Sequence, residues 1–107
     1  MNIPTSVTEL VAAQNRSDST AFAACFTDNA IVYDEGRTYE GRAAIRQWNA
    51  GANKKYRTAM QLLDYEQEGE QGLLRARISG IFPGSPIVLN YHLTFSGGQI
   101  KSLNIRS

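Results

Sequence analysis

Apolar residues recur at helical spacing near the start of the chain and at every second position near its end. Val7, Leu10, Val11 and Ala13 fall at intervals of three and four behind Pro4, with Thr5, Ser6 and Thr8 at the opening, which predicts an amphipathic helix. Asn15-Arg16-Ser17-Asp18 interrupts it. Asp18 or Ser19 then caps a second helix with Phe22, Cys25 and Phe26 on one face, closed by Thr27-Asp28-Asn29. Residues 30–34, Ala-Ile-Val-Tyr-Asp, are β-branched and aromatic and read as a short strand. Glu35-Gly36 turns the chain, Tyr39 belongs to a second short extended piece, and Gly41 opens a third helix. There Ala44, Ile45 and Trp48 share one side, and Arg42, Arg46, Gln47 and Asn49 fall elsewhere. Gly51 and Asn53 place its end nearby, or the helix runs on to Tyr56 with Gly51 as a weak point.

From Arg57 onward the period is two. Met60, Leu62 and Asp64 oppose Ala59, Gln61, Leu63 and Tyr65, and the segment from Glu68 to Gly72 supplies a turn. Leu74, Ala76, Ile78 and Gly80 form an apolar row opposite Arg75, Arg77 and Ser79, until Pro83-Gly84-Ser85-Pro86 turns the chain again. Ile87, Leu89, Tyr91, Leu93 and Phe95 then face one way, and Val88, Asn90, His92 and Thr94 the other. Ser96-Gly97-Gly98 is a hairpin signal into a last strand over 99–105. Helices gathered at the start and a meander of strands at the end imply a single α+β domain over residues 1–107, its sheet curled over the helices.

Composition narrows the function classes. Eleven Lys and Arg against ten Asp and Glu leave a net charge of +1. With the basic residues scattered there is no footprint for nucleic acid or an anionic membrane. No apolar run approaches the ~18 residues of a membrane span, and no signal peptide is evident, so the expected compartment is the cytoplasm. A single cysteine, Cys25, in an Ala/Phe-rich run reads as a small buried apolar residue, and one His with one Cys makes no metal cluster. A chain of 107 residues that held a deep pocket would surrender much of its interior to it, which favours pairing with a second copy.

The order of elements, together with F-T-D-N-A-I-V-Y-D at 26–34, G-R-A-A-I-R-Q-W at 41–48 and L-T-F-S-G-G-Q-I-K at 93–101, resembles the nuclear transport factor two-like superfamily and, within it, the SnoaL-like group. The resemblance implies a cone: a strongly curved antiparallel sheet, cystatin-like, wrapped over three N-terminal helices around an apolar pocket, with homodimers through the outer sheet face. It leaves function open, because the superfamily holds isomerases, cyclases, dehydratases and hydrolases beside non-catalytic transport and assembly factors. No cofactor is implied. In the ketosteroid isomerase branch the base is an Asp at the end of the first strand, which carries over to Asp34. Its two oxyanion donors, from the first helix and from the third long strand, carry over to Leu10, which cannot donate, and to Tyr91, which can.

Asp34 and Tyr91 are therefore the candidate catalytic pair. A carboxylate at the floor or rim of an apolar pocket loses hydration and gains basicity, which suits proton abstraction beside a carbonyl or activation of a water. V-Y-D-E-G is equally ordinary turn chemistry, and Tyr91 equally a core tyrosine. Tyr33, Trp48 and Tyr56, with Tyr39, offer aromatic walls for a flat ligand, and Leu10 a wall from the first helix. His92 has the parity opposite to Tyr91 and is expected on the convex face with Asn90 and Thr94, near Arg75 and Arg77, where a second copy docks. Two functions follow: an isomerase, cyclase or hydrolase acting on a small apolar carbonyl or ring compound, or a non-catalytic binding or dimeric assembly domain.

Overall fold

The computed structural model describes residues 3–107. The elements are α1 (Thr5–Asn15), α2 (Ser19–Ala24), β1 (Phe26–Asp34), β2 (Arg37–Glu40), α3 (Arg42–Tyr56), β3 (Ala59–Glu68), β4 (Gln71–Ser79), β5 (Ile87–Ser96) and β6 (Gln99–Arg106). The strands form one six-stranded sheet in the order β2-β1-β6-β5-β4-β3. Strands β3 to β6 are the expected meander, and the α+β class holds. The sheet is not wholly antiparallel, because β1 runs parallel to β6.

Local chemistry accounts for the breaks between elements. The Asp18 side chain caps α2 by accepting from the Ala21 N–H at 3.0 Å. The helix stops at Ala24, three residues before the expected breaker begins, so Phe26 and residues 27–29 belong to β1. Sheet pairing outcompetes another helical turn there: Phe26 faces Ile100, and the Ile100 N–H donates to the Cys25 carbonyl at 3.0 Å. Arg42 secures the same segment, donating from Nε to the Phe26 carbonyl at 2.8 Å and pairing with Asp28. Gly41 begins α3 with φ of 88°, a conformation that side chains disfavour, while its N–H reaches the Ala30 carbonyl at 2.8 Å. The helix then continues through Gly51 to Tyr56, the longer of the two expected ends.

Two expected parities fail. Asn49 is 4% exposed, not on a polar side of α3, because α3 packs with Ile45, Asn49 and Asn53 inward and meets a polar partner, Gln14 of α1. In β3 the alternation holds only to Leu62. That residue faces Ala76 while Asp64 already faces Arg75, so Leu63 is a bulge and everything after it changes face. Tyr65 turns inward to 5% exposure, and Asp64 turns outward to an ion pair with Arg75 at 3.3 Å.

The interior divides along the elements. At one end Val7 and Leu10 of α1, Ile45 of α3, Leu74 and Ala76 of β4, Leu93 and Phe95 of β5 and Leu103 of β6 are all buried in a continuous core. At the other end the same elements contribute Gln14, Trp48 with Tyr56, Ile78, Leu89 with Tyr91, and Ile105 to the lining of a cavity. One end of the curled sheet is thus filled and the other hollow. Gly72 marks the filled end, since a Cβ there would fall 2.9 Å from the Tyr65 ring and 3.0 Å from Phe95.

Candidate functional site

The hollow end is a cavity of about 400 Å³. Its apolar wall comes from Phe22, Met60, Ile78, Leu89 and Ile105, and its rim from Phe82 and Pro83 of the β4–β5 connection and Ile87 at the start of β5. Gly80 sets the rim. The adjoining Ile81 N–H donates to the Tyr56 carbonyl at 2.6 Å, and a Cβ on Gly80 would lie 2.6 Å from that same oxygen. This close approach brings Phe82 edge-on to Tyr56, with ring centroids 6.1 Å apart.

Asp34 stands at the end of β1, on the face of Val32, and lines the cavity. Its position follows from the hairpin behind it: Asp34 pairs with Arg37 across Glu35 and Gly36, which have φ of 52° and 75°. Positive φ at both central residues is what a tight two-residue hairpin turn requires. Among the described residues Asp34 forms no ion pair, and Glu35 beside it is the other charged residue of the lining. Burial therefore pushes the Asp34 carboxyl above its usual range, the Glu35 charge adds to the rise, and a hydrogen bond from the Trp48 side chain opposes it. Trp48 is held in place by Tyr39, stacked at 5.5 Å, and by Phe22 at 6.1 Å.

Tyr91 lines the same cavity at 7% exposure. Burial, and then the charge of Asp34, raises its hydroxyl far above the ordinary tyrosine value, so it keeps its proton at any physiological pH. The hydroxyl forms no hydrogen bond among the described residues and is not sealed away as a buried orphan. A protonated donor without a protein partner thus faces the space that Asp34 faces.

The other expected residues divide. Trp48 and Tyr56 line the cavity. Tyr33 does not: alternation along β1 turns it outward, and it is 41% exposed. Leu10 does not either. It is 1% exposed in the filled core, and the α1 residue at the cavity is Gln14, one turn or about 6 Å further along the helix. His92 lies on the outer face as expected, opposite Leu73 and Asn104, and Asn90 and Thr94 share its side of β5. Arg75 and Arg77 are also outward, paired with Asp64 and hydrogen-bonded to Gln61 respectively. Burial pushes the Cys25 thiol up to about 11, and the thiol donates to the Ala21 carbonyl, in keeping with an inert apolar role. No cluster of metal-ligating side chains occurs among the described residues, and no helix there is long and apolar enough to cross a membrane.

Gln14 and Asn49 line the cavity with Asn53 behind them, and none was legible as a site residue, yet all three are buried, at 6%, 4% and 8% exposure. Gln14 Nε2 donates to Asn53 Oδ1 and to Thr58 Oγ1, both at 2.7 Å, and Asn49 Nδ2 donates to Gln14 Oε1 at 2.7 Å. The usable signal was the spacing of Asn49 and Asn53, one helical turn apart on the face of Ile45.

The profile of the SnoaL-like domain matches residues 7–103. A candidate polyketide cyclase from Sinorhizobium meliloti is 35% identical, with a TM-score of 0.93 over 97% of this chain and 95% of that one. The chain belongs to the SnoaL-like family. Two more distant structures share the fold of this SnoaL-like domain. One is a Catenulispora acidiphila protein with a ketosteroid isomerase-like fold in complex with trimethylamine, at 21% identity, TM-score 0.89 and coverage of 99% and 87%. The other is SalBIII, an epoxide hydrolase/cyclase-like enzyme of pyran ring formation in salinomycin, at 22% identity, TM-score 0.79 and coverage of 94% and 85%. The SnoaL-like chain has no match among the curated proteins.

Proposed function

We propose that this SnoaL-like domain is a small enzyme of the isomerase, cyclase or hydrolase type, acting on a neutral, largely apolar cyclic carbonyl compound. One observation carries the reading: the Asp34 carboxylate and the unpartnered Tyr91 hydroxyl share one cavity closely enough for the charge of one to raise the pKa of the other. Asp34 acts as general base, taking a proton from the carbon beside the carbonyl, and its raised pKa brings its basicity nearer to that task. Tyr91 donates to the carbonyl oxygen and stabilises the negative charge that develops there. Trp48 and Tyr56 flank a flat ring. A neutral substrate suits a lining whose charged members, Asp34 and Glu35, are both acidic. The likeness to a candidate polyketide cyclase supports the same chemistry.

The test is a screen of cyclic ketones by NMR and thermal shift against the wild-type chain, Asp34→Asn and Tyr91→Phe. Ketones that bind the wild type and undergo chemistry only with both groups present support the reading; binding without any Asp34-dependent chemistry leaves a non-catalytic ligand-binding domain in its place. A second copy is proposed to pack on the outer sheet face around Asn90, His92 and Thr94, beside the exposed Tyr33 and Val88. Sizing at low concentration checks this, and a monomer contradicts it.

A further inference from the structure

The amide network on the cavity wall has hydrogen-bonding capacity that no described residue uses. A primary amide offers two N–H donors and two acceptor lone pairs. Gln14 spends both donors, on Asn53 and Thr58, and receives one bond on its oxygen, from Asn49. The Asn49 oxygen receives two, from Ser19 at 2.9 Å and from Asn53 at 3.1 Å. Among the described residues, Asn49 is left with one unmatched N–H and Gln14 with one unmatched lone pair. Of the three buried amides, these two are the ones that line the cavity. Reversing every amide keeps the network satisfied and exchanges the roles: Gln14 then holds the spare donor and Asn49 the spare acceptor. In either arrangement the pair presents one donor and one acceptor side by side.

We propose that Gln14 and Asn49 form a hydroxyl-binding subsite, so that the ligand is a cyclic ketone with a hydroxyl group remote from the carbonyl. A hydroxyl donates one hydrogen bond and accepts another, which is the complement of this pair, whereas a second ketone or an ether oxygen can only accept. A water molecule donates and accepts in the same way and would serve the pair when no ligand is bound. A ligand without the hydroxyl displaces that water and leaves two buried polar groups unmatched, which is the situation in which a site discriminates most strongly. The network behind the pair fixes its direction, since Ser19, Asn53 and Thr58 hold both amide planes. This inference rests on the reading of the cavity as a ligand pocket, and it adds the second functional group of that ligand.

The experiment measures binding of 1-tetralone, its 5-, 6- and 7-hydroxy derivatives and the matching methoxy ethers by NMR titration, following the side-chain NH₂ resonances of Gln14 and Asn49. At least one hydroxytetralone is expected to bind about tenfold more tightly than 1-tetralone, with its methoxy ether losing the gain. Gln14→Met should abolish the gain. Thr8→Ala, on the exposed side of α1 and outside the network, should keep the gain. The wild-type comparison of hydroxy, methoxy and parent compounds decides the matter even if Gln14→Met fails to fold. Equal binding of all three, or a gain that survives Gln14→Met, overturns the subsite and leaves the pocket intact. Failure of every tetralone to shift a cavity resonance overturns the pocket reading itself, and the subsite with it.

Discussion

Tyr91 and Asp34 lie in one row across the sheet, with Ile105 between them. Tyr91 pairs with Ile105, and Asp34 follows Tyr33, the partner of Asn104, so the row crosses β5, β6 and β1. Two strand spacings separate the backbones by about 10 Å, and both side chains reach over Ile105 into the cavity.

Tyr91→Phe tests the donor. The hydroxyl has no protein partner among the described residues, so its loss should change stability by no more than about 0.5 kcal/mol in chemical denaturation. Turnover of any ketone substrate should fall by about two orders of magnitude, the loss typical of one oxyanion donor. An unchanged rate would remove Tyr91 from the chemistry.

The pH dependence of stability tests the desolvation of Asp34. Its folded pKa is raised above the unfolded value, so the folded state holds the proton more tightly, and stability falls as pH rises through the folded pKa. Asp34→Asn should therefore melt above the wild type at neutral pH, with the difference shrinking as pH drops toward 3.8, the ordinary carboxylate value. A wild-type advantage at neutral pH would mean that the carboxylate is satisfied in the fold.

Asn53→Ala tests the amide network. Asn53 accepts from Gln14 and Thr58 and donates to Asn49, so its removal strands buried polar groups at a cost of about 2 kcal/mol. Urea denaturation checks this, and a neutral effect would show the network to be loosely held.

Gly80→Ala tests the rim. A Cβ there meets the Tyr56 carbonyl at 2.6 Å, backbone that cannot swing away, so the β4–β5 connection must shift. Stability should drop by about 1–3 kcal/mol, and ligand affinity should fall because Phe82 and Ile87 move with the connection.

The fold was legible where periodicity was clean. Tyr91, Leu93 and Phe95 alternate without a break, and both the helical hairpin and the meander follow from such runs. It was not legible where a long-range partner decided the outcome. Phe26 reads as helical until Ile100 is available to pair with it, and Tyr65 reads as outward until the bulge at Leu63 changes the face. Asp34, Tyr91, Trp48 and Tyr56 were legible as cavity residues from strand parity, aromatic character and resemblance. Leu10 was placed one turn short of Gln14, because counting along a sequence cannot tell the filled end of the cone from the hollow end. The amides escaped notice because their burial depends on one another: each is polar alone and internal only when paired.

In the proposed reaction Asp34 removes a proton beside a bound carbonyl. The most direct measurement is exchange of the carbon-bound protons next to the ketone of 1-tetralone and its hydroxy derivatives in deuterated buffer, followed by proton NMR. The wild-type chain should accelerate exchange above buffer, with a rate that rises with pH through an apparent pKa above the ordinary carboxylate value, and Asp34→Asn should return it to the buffer rate. Exchange at the same rate with wild type, with Asp34→Asn and with buffer alone, for ketones shown to occupy the cavity, would rule out Asp34 as the base.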